Sequence, residues 1–115
     1  AMGVDAPHLF DAIAATAEPR MRTFRPHDVP TLAWAFAKSR SVGRAPHLFD
    51  AIAAALRARL RDLEDSQDLA NAAWAFATAG VDAPEVYAAI ATAAQQRIGE
   101  FGSQALANTA WAFAT

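Results

Sequence analysis

Cysteine is missing from all 115 residues. That excludes a disulfide framework and any metal site or nucleophile built on a thiolate, without naming a compartment. No apolar run approaches the ~20 residues a helix needs to cross a bilayer, so no membrane-spanning segment is expected. Glycine and proline are few, five and six, and no glycine-rich loop suited to cradling a phosphate is present. Histidine and carboxylate residues nowhere gather at metal-ligand spacing. His8 and His47 occupy equivalent positions of a repeat, too far apart to share a metal, and each is expected in the exposed first turn of a helix. Asp11 and Asp50 recur in the same way and make no acid–base pair. These absences point away from an enzyme and from any cofactor or metal.

Hydrophobic residues, alanine above all, make up 54% of the chain. That is enough for one domain with a real core, and the composition favours helix. Formal net charge is -2 with a pI near 5.8, which weighs mildly against nucleic acid. The average conceals an imbalance. Residues 1–61 hold nine of the ten Lys/Arg against five acids, whereas residues 62–115 hold Arg97 alone against seven. An anionic partner would favour the first half. No signal or transit peptide is legible, and Ala1-Met2-Gly3 has the form of a cloning remnant.

The chain is self-similar. Gln67-Asp68-Leu69-Ala70-Asn71 leads into Trp74-Ala75-Phe76-Ala77-Thr78; nearly the same residues return over 104–115, and a looser copy lies at Thr31-Leu32-Ala33-Trp34-Ala35-Phe36-Ala37-Lys38. Trp34, Trp74 and Trp111 recur at a spacing of roughly 40 residues, a period typical of stacked helical units. Between them lie Ala6-Pro7, Ala45-Pro46 and Ala83-Pro84, each suited to the first turn of a helix because proline has no N–H to leave unsatisfied there. Two helix types therefore alternate: Pro helices over roughly 6–18, 45–62 and 83–98, and Trp helices over roughly 28–39, 67–79 and 104–115. Pro30 fits the first Trp helix only if that helix starts near Asp28. Asp5, an Asp82–Glu85 capping box, Ser66 and Ser103 are the expected N-caps, and Gly43 and Gly80 the expected stops.

The expected fold class is all-α: a right-handed type of α-solenoid of three helix-pair repeats, six helices in one domain over 1–115. The repeats span about 5–40, 45–79 and 83–115, and together read as a fragment of a longer array. Leu48, Phe49, Ile52, Leu56, Leu60 and Leu63 supply the core stripe of the middle Pro helix. Phe24, Leu63 and Phe101 stand at one shared offset from the prolines of their copies and are expected to plug the connection to the next helix. On the Trp helix, Leu69, Ala72, Ala73 and Phe76 are expected inward. Trp74 is expected at the seam between repeats, where an aromatic buries the most area. That assignment leaves Gln67, Asn71, Ala75 and Thr78 on the outer face.

Phe101-x-Ser103-Gln104-x-Leu106-Ala107-Asn108-x-x-Trp111-Ala112-Phe113-Ala114 resembles the octotricopeptide repeat and its degenerate relatives in proteins that carry a RAP domain. The resemblance extends through Asp68-Leu69-Ala70-Asn71-x-x-Trp74-Ala75-Phe76-Ala77 over essentially the whole chain; it is weaker at the first copy, where Pro30 and Thr31 replace the usual Ala-Asn. It implies a paired-helix solenoid that binds organellar RNA in a chloroplast or mitochondrion, acting in transcript processing, stability or translation. No RAP domain is present in these residues, so no activity of that module carries over.

Under this reading one ridge per repeat would meet single-stranded RNA: His27, Thr31 and Lys38; Gln67, Asn71 and Thr78; Gln104, Asn108 and Thr115. Amides suit base edges because one group both donates and accepts; the plainer alternative is solvent-facing polar residues. Arg20, Arg59 and Arg97 also share one offset from their prolines. They could track phosphates, although offsetting a helix dipole or pairing with nearby acids is the commoner use. The rival functional reading is a protein–protein interaction scaffold with no nucleic-acid binding, which the net charge fits better. Both terminal helices lack a neighbour, so head-to-tail self-association through them is a further expectation.

Overall fold

The computed structural model describes residues 6–115; the expected cap Asp5 lies outside the described residues. Six α-helices carry the architecture, and no described residue is in a strand. The Pro helices are α1 (Pro7–Ala17), α3 (Pro46–Arg59) and α5 (Pro84–Gln96); the Trp helices are α2 (Asp28–Lys38), α4 (Ser66–Ala79) and α6 (Ser103–Ala114). Each Pro helix opens on its proline, as its fixed φ favours. Each is followed by a 3-10 segment, Glu18–Thr23, Leu60–Asp62 or Ile98–Glu100. The chain then extends at Phe24, Leu63 and Phe101, whose side chains turn inward as plugs.

The caps differ from expectation by one residue. Asp65, not Ser66, caps α4, its carboxylate accepting from the Gln67 N–H at 2.9 Å. Gly102, not Ser103, precedes α6. No Asp82–Glu85 capping box forms, because Ala83 holds the N-cap position and offers no side-chain acceptor. Asp82 stands one residue too early.

The Trp helices lie side by side: α2 against α4 and α4 against α6 are the most extensive helix contacts. Alanine lines them. Ala33, Ala70, Ala72, Ala73 and Ala75 are completely buried, and side chains this small let helix backbones approach closely. α3 packs on α2, α5 on α4, and α3 on α5. The same T-shaped aromatic pair recurs where each Pro helix meets its Trp helix: Phe10–Phe36 at 5.0 Å, Phe49–Phe76 at 5.3 Å and Tyr87–Phe113 at 5.8 Å between centroids. Such pairs add about 0.5–1.5 kcal/mol each beyond the area they bury.

In the first two copies the left-handed residue that closes the Trp helix stands at the same offset from the tryptophan. Gly80 ends α4 in the left-handed region at φ 68°, with the Gly80 N–H donating to Ala77 O and the Val81 N–H to Phe76 O, a Schellman closure. In the first copy the equivalent residue is Arg40, forced to φ 60° with the matching bonds to Ala37 O and Phe36 O. Gly43, the expected stop, sits instead in a 3-10 turn over Val42–Arg44. That turn uses the extra length of this connection to aim Arg44 back at α1. Its guanidinium donates to both Asp11 carboxylate oxygens, at 2.9 and 2.6 Å, and holds the Asp11 carboxyl below the usual carboxylate range.

Two measurements check this account. Left-handed geometry costs a side chain roughly 1–2 kcal/mol, and glycine gives back about 0.5–1 kcal/mol through its freer unfolded chain. Arg40→Gly should therefore raise unfolding stability by about 0.5–1 kcal/mol; an unchanged or lower urea midpoint contradicts the assignment. Tyr87, the single tyrosine, packs edge-on to Phe76 and Phe113, and burial raises its phenol above the usual value. Neutral phenol is thus favoured by folding, so its contribution is complete below about pH 10 and is lost as pH rises through the raised value. Phenolate absorbance should inflect above that pH in the folded protein and return to it on denaturation.

Candidate functional site

Successive helical residues advance by about 100°. On that wheel Gln67, Asn71, Trp74 and Thr78 fall within roughly 60° of arc, and Ala75 lies outside it. The structure follows the wheel. These four are the accessible line of α4, flanked by Ala70 and Ala75, both fully buried. Ala75 therefore belongs to the contact between helices and not to the outer face where it was expected, while Trp74, half-buried, shares the ridge line and still reaches the seam between copies. The physical reason is size: a layer of closely spaced helices has room for a methyl group at the buried position and none for an indole. Trp74 does meet the neighbouring copy, but over the top of the seam, its ring centroid 6.1 Å from that of Trp34 at a 37° tilt.

The same register applies to the other Trp helices. In α2, the residues Thr31, Trp34 and Lys38 are exposed, with His27 just before them. In and beyond α6, Gln104, Trp111 and Thr115 are exposed and Asn108 half-buried. Of the nine residues expected on the ridges, Gln67, Asn71 and Asn108 are half-buried and the other six exposed, and each set shares its helical register with the tryptophan of its own copy. Their freedom differs. Gln67 Nε2 donates to Asn71 Oδ1 at 3.1 Å, so the second ridge presents a bonded amide pair with the Gln67 oxygen and an Asn71 N–H still available. His27 Nδ1 lies 3.3 Å from the buried Asp68 carboxylate, a tie between α2 and α4. Thr31 and Thr115 donate their hydroxyls to their own helices, at His27 O and Trp111 O.

Cations gather at one end of this face. Lys38 Nζ stands 4.6 Å above the Trp34 ring, a cation–π contact. Lys38 and Arg40 line a groove of ≈ 680 Å³ together with Trp74, Thr78, Val42 and Ala79. Arg40, left-handed at φ 60° and on the groove wall, is not legible as a site residue in the sequence, because it lies outside the recurring ridge register. The tryptophans are legible: the wheel alone puts them on the ridge, against the general tendency of large aromatics to be buried.

The arginine column is structural at two of its three positions, through partners the sequence does not suggest. Arg59 Nη1 donates to Phe24 O, and Arg97 donates to Leu63 O and Glu64 O. Each guanidinium thus holds the carbonyl of the plug residue in the preceding copy. Both also stand at the end of their own helix, Arg59 in the last turn of α3 and Arg97 at the C-cap of α5, and the expected acid is more distant, with Glu100 3.9 Å from Arg97. Arg20, the first of the series, is exposed. A hydrogen bond from a charged donor is worth about 1.5–3 kcal/mol, so Arg59→Met and Arg97→Met should each lower stability by about that much, read as a shift in urea midpoint. A loss within error at both positions would remove the clamps from the account.

No family model, curated protein or solved structure matches this chain.

Proposed function

We propose that the chain is a short α-solenoid of three helix pairs that binds single-stranded RNA across the outer ridges of α2, α4 and α6, as the resemblance to octotricopeptide repeats implies. The single observation that carries the reading is the Trp34–Trp74 pair, with Lys38 over the Trp34 ring and Trp74 lining a groove together with Lys38 and Arg40. Bases stack on exposed indoles for about 1–3 kcal/mol each, with little regard to sequence. Cations beside the rings suit the phosphates that follow such bases. The amides Gln67, Asn71, Gln104 and Asn108 supply donors and acceptors for base edges. Indoles thus contribute affinity and amides contribute selectivity. The transcript of a chloroplast or mitochondrion is the substrate class that the sequence resemblance supports.

The competing scaffold reading draws on the net charge of -2. Fluorescence anisotropy with short RNAs of mixed sequence separates the two. Binding should weaken with added salt, and Trp34→Ala with Trp74→Ala should weaken it by about 10- to 100-fold while leaving the helical circular dichroism intact, since both indoles are partly solvent-exposed. Asn71→Ala with Asn108→Ala should reduce discrimination between sequences more than overall affinity. No binding by the wild-type chain in low salt, or binding indifferent to loss of the two indoles, overturns the proposal and leaves the scaffold.

A further inference from the structure

Cations mark one connection of the periodic ridge face and not the next. Counted from the tryptophans, the second connection has Thr78 where the first has Lys38, and Gly80 where it has Arg40. Counted back from the prolines, Asp82 stands where Arg44 does. Arg44 is taken up by Asp11. Lys38 and Arg40 are not so engaged: no carboxylate is on the wall of their groove, and among the described residues neither cation has an ion-pair partner.

The two cations are held in place. Arg40 keeps a left-handed backbone, φ 60°, at the position that glycine fills without strain in the second copy. Strain retained at a residue with a long polar side chain points to a use for that side chain. The turn around it is tied down: the Ser41 N–H donates to Phe36 O at 3.0 Å, the buried Ser41 hydroxyl is bonded to that of Ser39 at 2.8 Å, and Arg44 anchors the following residues on α1. Lys38 is positioned by its ammonium, 4.6 Å from the Trp34 ring centroid. Groups placed before a ligand arrives lose less entropy on binding it.

We propose that this groove takes the phosphorylated terminus of a single-stranded RNA, with the terminal phosphate between Lys38 and Arg40 and the terminal base against Trp74. The inference rests on the reading of this face as an RNA-binding surface, and adds which part of the ligand the first groove receives. Charge selects the occupant. A phosphate monoester carries about -1.5 to -2 at pH 7, whereas a phosphodiester within a strand carries a single charge. Two cations without a carboxylate match the former, and a guanidinium fork suits its oxygens. Trp74 on the same wall offers an indole on which any base can stack. The groove volume of ≈ 680 Å³ lies within the roughly 300–1,000 Å³ of pockets that hold small organic ligands. Because the cations occur at one connection, one terminus binds per chain.

Fluorescence anisotropy tests it with one internally labelled RNA of mixed sequence, bearing a 5′-phosphate, a 3′-phosphate or hydroxyls at both ends. One phosphorylated form should bind about 10- to 100-fold more tightly than the hydroxyl form, and which one does so gives the direction of the strand across the ridges. Arg40→Gly should bring the ratio of the two affinities close to unity. A loss of fold does not explain that result, since the substitution relieves the left-handed strain and should raise the urea midpoint. Arg61→Gln removes an equal charge from an exposed position off the groove and should leave the ratio intact. Equal binding of all three RNAs overturns the inference while the RNA reading stands; binding of none overturns both. A ratio that survives Arg40→Gly, or that Arg61→Gln lowers as much, also overturns it, because the terminal charge is then read by the surface as a whole and not by this groove.

Discussion

Everything on the outer surface follows from how closely α2, α4 and α6 lie. Alanine at the contacts, with Ala70, Ala72, Ala73 and Ala75 wholly buried, lets the three backbones approach. That approach leaves no space between them for larger side chains. An indole on this helix has one place to go, over the seam and into solvent contact. The tryptophan landmarks of the sequence are therefore a consequence of the alanines around them. The line Gln67, Asn71, Trp74 and Thr78 is what remains once the alanine contacts are made. The hydrophobic effect drives the burial, while side-chain volume decides which residues receive it.

A layer held by methyl groups has little directional information of its own. Apolar contact fixes how near two helices come but only weakly how far one has slid along the other. The longer-range polar bonds supply that missing coordinate. Arg59 and Arg97 reach from one copy to the main chain of the one before, Arg44 reaches from the first connection to Asp11 on α1, and Arg57 meets Glu85 between α3 and α5 at 2.6 Å. Of these, the main-chain clamps constrain most. A carbonyl at the extended plug residue has a fixed position, whereas an exposed carboxylate can follow its partner and contributes little net stability.

The division between what can and cannot be read from sequence follows the same physics. Helix identity and extent are legible, because proline at the first turn, a left-handed stop at Gly80 and the regular apolar spacing are all local. So is the inward-facing core of α3. Arg59 and Arg97 are visible as a repeating pair, but a backbone carbonyl leaves no trace in a sequence, so their partners are not. The caps of α4 and α6 slip by one residue because Asp65-Ser66 and Gly102-Ser103 each offer two competent neighbours, and tertiary packing chooses between them. Trp74 shows a different limit. Its angle on the wheel points outward, and the general preference for burying aromatics points inward. Both act: the indole sits on the side of the helix its register assigns and is half-buried there against Trp34 of the neighbouring copy.

The first copy shows how the arrangement tolerates irregularity. Its connection to α3 is longer than the next one, and the residue at its left-handed stop is Arg40 where the second copy has glycine. In compensation the added turn brings Arg44 to Asp11, and the strained position brings Arg40 to the rim of the groove beside Lys38 and Trp74. Strain of this kind, roughly 1–2 kcal/mol at one residue, persists only where surrounding structure over-determines it. Here the Schellman bonds at Phe36 O and Ala37 O over-determine it, since they form at the same distance from the tryptophan whatever residue is present. The departure from the repeat pattern thus falls where the molecule gathers its cations on the ridge face.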